Sequence, residues 1–232
     1  MSLLGKIFKG TKEKKDPYEN APAFKKMVEE LEKEENEFVE RFENVVPVIR
    51  VSPEDSEIAS GGEDGHLPEK SAPLSFPLDF EKDLSIYLGV DRGEEYEWLL
   101  NRQIEVVKDR ITPDKMVSKA FGNLFKQIEK KISVKILTED IGMLENCNSL
   151  ESSLVLINEI WSLARRYVKS DDLLFAIPAR DVFIFGRYGD GKTTELFIKK
   201  AQEFYNDPSH PDKLNNTIYI RRKNGATEKF HQ

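Results

Sequence analysis

The chain has 232 residues, 33% of them charged, a formal net charge of −7 and a single cysteine, Cys147. That length suits one large domain or two small ones. The lone cysteine excludes an intrachain disulfide, and no run of about 18 apolar residues is present to span a bilayer. The N-terminal apolar pairs Leu3-Leu4 and Ile7-Phe8 are too brief for a signal peptide, so a cytoplasmic protein is expected.

Charge is placed unevenly. Residues 1–15 carry five lysines against Glu13, a net of +4, so residues 16–232 carry −11. An acidic body repels phosphate backbones, which argues against nucleic acid as a partner. Residues 1–20 read as a basic, flexible tail. Its apolar pairs among lysines allow weak peripheral membrane contact through residues 1–15.

Residues 22–43 follow as a predicted helix, with Phe24, Met27, Val28, Leu31, Phe38, Val39 and Phe42 at helical spacing. Val45-Val46-Pro47-Val48-Ile49-Arg50-Val51 reads as a strand whose proline points to an edge. Residues 52–73 are almost free of apolar side chains and read as a mobile acidic loop. Leu84–Val90 reads as a strand, and 94–110 as a helix burying Tyr96, Leu99 and Ile104. Thr112-Pro113-Asp114 is a helix start: a hydroxyl cap, proline in the first turn, then an acid. The helix it opens, 113–131, and one over 150–168 capped by Ser149 are expected to carry the core, with Phe121, Leu124, Leu154 and Trp161 buried. Between them, 133–137 alternates like a strand. Strands are predicted at 172–177, 181–186 and 217–220, a helix at 193–206, and an Asn224-Gly225 hairpin turn before a short last strand. Strands adjacent in sequence with interspersed helices predict an α+β fold with a mixed or largely antiparallel sheet packed with several helices. Residues 21–232 are read as one such domain.

One motif carries chemistry. Gly186-Arg187-Tyr188-Gly189-Asp190-Gly191-Lys192-Thr193 matches G-x-x-x-x-G-K-T, the loop that cradles nucleotide phosphates. In that reading Gly186, Gly191, Lys192 and Thr193 hold ATP or GTP with Mg, and Asp91, at the end of the strand 84–90, supplies the second magnesium-linked acid. Against it, only 39 residues follow Thr193, and their one good strand runs into Arg221-Arg222 instead of an acid. The closing Asn-Gly hairpin also suits an antiparallel sheet. The alternative is a polar strand-to-helix connection in which Thr193 caps the helix.

Other candidates are sparse. Cys147, His66, His210 and His231 lack nucleophile or metal-ligand spacing. Arg180-Asp181, beside a strand start, could line a pocket, but a surface ion pair is the plainer expectation. No catalytic and no metal-binding residue is assigned.

The ordered set Val45-Val46-Pro47-Val48-Ile49-Arg50, Leu84-Ser85-Ile86-Tyr87 with Asp91, the Thr112-Pro113 helix through Ala120 and Asn123-Leu124, Ser152-Ser153-Leu154, and Ala176-Ile177-Pro178-Ala179-Arg180-Asp181-Val182-Phe183-Ile184 resembles the YtpQ-like family of uncharacterised bacterial proteins. The resemblance spans residues 45–230. It implies a bacterial α+β protein without assigned activity, and it does not require a G-K-T loop or explain the basic tail. The functional expectation is a non-catalytic protein, without a cofactor, that binds another macromolecule, with a protein as the expected partner. The alternative is a P-loop-type NTP-binding protein.

Overall fold

The computed structural model describes residues 26, 33, 36–37, 39, 41–52, 73–92, 96–101, 103, 112–129, 131–189, 191–210 and 212–231. The basic tail and nearly all of the loop 52–73 lie outside the described residues. Lys26, Lys33, Asn36, Glu37, Val39, Arg41 and Phe42 are helical, as the spacing predicts. The elements that follow are β1 (Val45–Val51), β2 (Ser75–Leu78), β3 (Glu81–Asp91), β4 (Tyr96–Trp98), α1 (Pro113–Ile128), β5 (Ser133–Thr138), β6 (Ile141–Glu145), a 3-10 helix η1 (Glu151–Leu156), α2 (Asn158–Val168), β7 (Leu173–Ala179), β8 (Val182–Arg187), α3 (Gly191–Asn206), β9 (Tyr219–Arg221) and β10 (Thr227–Lys229). One sheet has the order β1-β3-β2, with β4 also paired to β3; the other runs β10-β9-β7-β8-β6-β5. Every described pairing is antiparallel, which makes this the α+β fold expected from sequence. Pro47 lies on β1, at the end of its sheet order, where no ladder donor is missed.

The chain divides into two compact units, each built from three stretches of sequence: 1–46, 54–74 and 88–123 in the first, and 47–53, 75–87 and 124–232 in the second. In the first, Thr112 caps α1 by accepting from the Lys115 amide at 3.4 Å. Asn123 fixes the α1 flank by donating to the carbonyls of Glu43 and Val45 at 2.7 and 2.9 Å. The predicted helix at 94–110 is corrected in part. Tyr96–Trp98 pair with β3, Trp98 opposite Gly89, while Asn101 and Gln103 are helical. Tyr96 and Trp98 share one face and their rings stack at 6.1 Å. Glu97 between them takes Arg41 and Arg92, the latter at 2.6 Å. An apolar–charged–apolar triplet thus resolves as period two.

The second unit holds the six-stranded sheet, which is covered on both faces. Leu174, Ala176, Ile184 and Ile220 form one face with Phe197 and Ala201 of α3. Phe175 and Phe183 turn the other way onto Trp161 of α2, at ring separations of 4.9 and 5.4 Å. Hence β7 reads as an unbroken apolar run, buried at every residue. The predicted single helix 150–168 is two pieces. Ile157 between them is extended (φ −104°, ψ 117°), and the indole of Trp161 donates back to the Val155 carbonyl at 3.1 Å. Ser149 is not a cap; it has φ 59°, and the first piece has no side-chain cap. The two apolar stripes of this segment therefore reflect a broken axis as well as two-sided burial. Leu124, Leu154 and Trp161 are buried as expected, whereas Phe121 is half-buried. β2 and β6 carry no expectation from sequence. At the closing hairpin Gly225 takes φ 89°, the left-handed conformation an Asn-Gly turn requires.

Candidate functional site

The residues of the G-x-x-x-x-G-K-T match fall on two elements. Gly186 is inside β8, opposite Ile141 of β6 and Leu174 of β7. A Cβ there would stand 2.6 Å from the Phe197 ring, so this glycine lets α3 approach the sheet. Gly191, Lys192 and Thr193 share the first turn of α3. A Cβ on Gly191 would meet nothing within 4 Å. Lys192 is exposed and Thr193 half-buried. Because α3 begins at Gly191, Thr193 lies inside the first turn and is not its cap. Asp91 ends β3 in the other compact unit, its amide bonded to the Asn44 carbonyl at 3.3 Å.

A second constellation forms where η1, the β7–β8 turn and the segment 207–214 meet. The connections are backbone first. Ser152 N–H donates to the Arg180 carbonyl at 2.9 Å, Arg180 N–H to the Asp212 carbonyl at 2.9 Å, and Leu214 N–H to the Pro178 carbonyl at 3.0 Å. The segment has its own brace: Asp207 Oδ1 accepts from the Ser209 amide, and Lys213 Nζ donates to the carbonyls of Phe204 and Asp207.

Onto this frame come the side chains. Arg180 and Asp181 each take part in a part-exposed charged pair, as the plainer expectation had it. Arg180 binds the Asp212 carboxylate at 2.9 Å, and Asp181 Oδ2 lies 2.6 Å from Nδ1 of His210. Glu151 is 6% exposed and Ser152 fully buried. One Glu151 oxygen accepts from the Cys147 amide at 2.9 Å. The other, Oε2, has no hydrogen-bond partner, nor do Ser152 Oγ and Asp181 Oδ1. Arg180 Nε belongs to the same set, so Glu151, Ser152, Arg180 and Asp181 each carry a buried polar atom without a hydrogen bond, where buried polar atoms nearly always find partners. Burial pushes the Glu151 carboxyl above its ordinary range; the amide bonds oppose this, and the charges of Asp181 and Glu145 add to it. Burial, with Glu151 adding, pushes the Cys147 thiol up to about 12, so it is no thiolate nucleophile.

Ser152, Asp181 and His210 are the residue types of a serine hydrolase, yet the arrangement is not one. His210 bonds Asp181, but Ser152 Oγ is sealed from solvent and bonds no imidazole, so nothing takes its proton. Among the described residues there is no group of three or more His, Cys, Asp or Glu side chains that could hold a metal ion. Sequence spacing does not reveal His210 because its partner is 29 residues away; the signal in the sequence that points here is the Arg180-Asp181 pair beside a strand start. No helix among the described residues is long and apolar enough to cross a membrane. No family model, no curated protein and no solved structure matches the chain.

Proposed function

We propose that this chain acts by binding another protein, without chemistry of its own, and that the β7–β8 turn is where it binds. The observation that carries the reading is the set of buried polar atoms without a hydrogen bond on Glu151, Ser152, Arg180 and Asp181, acceptors and a donor together. Groups left without partners at a cost of about 1–3 kcal/mol each are retained where something else satisfies them. Membership of the YtpQ-like family is part of the same proposal. It is supported by convergence: the Ile49 amide donates to Ser153 Oγ at 3.2 Å, and Ser152 meets Arg180, so three of the segments that carry the resemblance touch one another. A cytoplasmic location is proposed from the single, buried, unpaired cysteine.

The nucleotide alternative draws less support. Both neighbours of β8 run antiparallel to it, whereas a phosphate loop of this type leaves a parallel strand. Gly186 is accounted for by Phe197.

The test is affinity capture from native host extract with wild type and with Asp181→Lys, which plugs the turn with a cation. A reproducible partner retained by wild type and lost by Asp181→Lys supports the reading. No reproducible partner, or equal capture by both chains, overturns it.

A further inference from the structure

We infer that the outer edge of β5 is a self-association surface, along which a second copy of this chain adds antiparallel and makes one sheet continuous through two chains. The β7–β8 turn plays no part in it, so the binding reading above stands or falls separately.

The two edges of the six-stranded sheet differ. β10, at one end, has three residues, and its charged side chains are tied down, Glu228 to Arg222 and Lys229 to Glu81. β5, at the other end, has six residues, and among the described residues no strand pairs with its outer side. Alternate N–H and C=O groups of such a strand point outward and offer a template for another strand. A lysine on an edge strand ordinarily discourages this, but Lys135 is drawn back to Glu145 of β6 at 3.2 Å. Its neighbour Ile136 is 70% exposed, more than any other large apolar side chain among the described residues. The cause is its cross-strand partner. Ile136 lies opposite Gly142, and a Cβ on Gly142 would stand 2.7 Å from the Phe185 ring. The position on β6 that would cover Ile136 is therefore obliged to be bare.

Charge selects the occupant. Lys131 precedes β5 and Glu139 follows it; both are exposed, and neither is in an ion pair among the described residues. Antiparallel pairing of two copies brings the Lys131 of each toward the Glu139 of the other, whereas parallel pairing sets like charges together. The apolar side chains agree. Val134 and Ile136 share a face of β5, so the registers that keep this face common to both copies set Ile136 against Val134 or Ile136 of the second copy. A second copy thus carries the complementary order of basic, apolar and acidic residues. The register shift between Ile136 and Thr138 confines regular pairing to the first residues of β5, so the dimer belongs to the weak, concentration-dependent class.

Sedimentation velocity of the full chain from about 10 μM to about 1 mM reads the association. Salt of about 0.15 M screens the net charge of −7 on each copy beyond about 8 Å. We expect a concentration-dependent shift from monomer to dimer. Ile136→Lys should remove the dimer over the whole range and leave the urea midpoint unchanged, because the side chain it replaces is mostly in solvent. Lys131→Glu and Glu139→Lys should each weaken the dimer about tenfold, each change acting twice across the two-fold axis. The double variant carrying both changes should recover it. Hydrogen exchange of wild type should slow at β5 amides as concentration rises and stay constant at β10. Monomer at every concentration, a dimer that survives Ile136→Lys, single charge variants that dimerise as wild type does, a double variant that fails to recover, or slowing confined to other strands would each overturn self-association through β5.

Discussion

Two buried carboxyl groups in the second unit have opposite surroundings. Glu81, at the start of β3, is 2% exposed and fully engaged. Tyr219 Oη donates to it at 2.5 Å and Lys229 Nζ at 3.0 Å, and Asn215 closes the network by donating to Tyr219. Burial alone would push Glu81 up, but the bonds from Tyr219 and Lys229 outweigh it and hold the carboxyl below its usual range. Glu151 is comparably buried and is held by backbone amides, with the like charges of Asp181 and Glu145 bearing on it. A carboxylate with its partners in place ties β3 to β9 and β10; one without them is a structural cost that invites an explanation in function. Burial by itself therefore says little about role; the partner count separates the two sites.

The largest expected effect breaks the satisfied site. Tyr219→Phe removes a hydrogen bond to a charged, buried acceptor and should cost about 1.5–3 kcal/mol by urea denaturation at neutral pH. The pH dependence has a definite sign. A carboxyl whose folded pKa is depressed contributes stability above its unfolded value and loses it as pH falls through the folded value. Glu81→Gln should therefore destabilise at neutral pH and converge on wild type under acid conditions. A constant difference across that range would mean that Glu81 is not the titrating partner of Tyr219 and Lys229.

The second effect is smaller and opposite in sign. With a raised folded pKa, Glu151 contributes stability below its unfolded pKa and loses it as pH rises toward the folded value. Glu151→Gln keeps an oxygen for the Cys147 amide and removes the charge, so its stability relative to wild type should improve with rising pH. A variant that loses stability on the alkaline side instead would place Glu151 in the same class as Glu81 and end the comparison.

The contrast also marks what was legible in the chain. Period and punctuation exposed β1, α1, β7, β8, α3 and the Asn224-Gly225 hairpin, because each is decided by local pattern: alternation, a Thr-Pro-Asp start, a left-handed glycine. β4 was mistaken for helix because Tyr96 and Trp98 meet Gly89 across a strand pair that no window contains. The break at Ile157 depends on Trp161 and Val155 finding each other after chain reversal. The polar cluster was the least legible of all. Glu151, Asp181 and His210 are 30 and 29 residues apart in sequence, and each alone reads as an ordinary solvated charge. The one motif that was locally conspicuous, Gly186 to Thr193, is spread between a packed strand and an exposed helix end.

That motif supplies the smallest expected effect, and it calibrates the other two. Lys192 is exposed at the start of α3 and bears on neither buried carboxyl. Lys192→Ala should change stability by no more than about 0.5 kcal/mol, as ordinary surface substitutions do. The nucleotide alternative predicts something else. A true phosphate cradle would raise the melting temperature with ATP or GTP and magnesium by mass action, about 2.7 kcal/mol at a hundredfold excess over the dissociation constant. Loss of the lysine would abolish that gain, since the phosphates would lose their main cationic partner. Differential scanning fluorimetry of wild type and Lys192→Ala, with and without magnesium nucleotide, separates the cases. We expect four superimposable melting curves. A lysine-dependent shift would move the functional site from the β7–β8 turn to the first turn of α3 and make the orphaned acceptors of Glu151 and Asp181 a matter of folding alone.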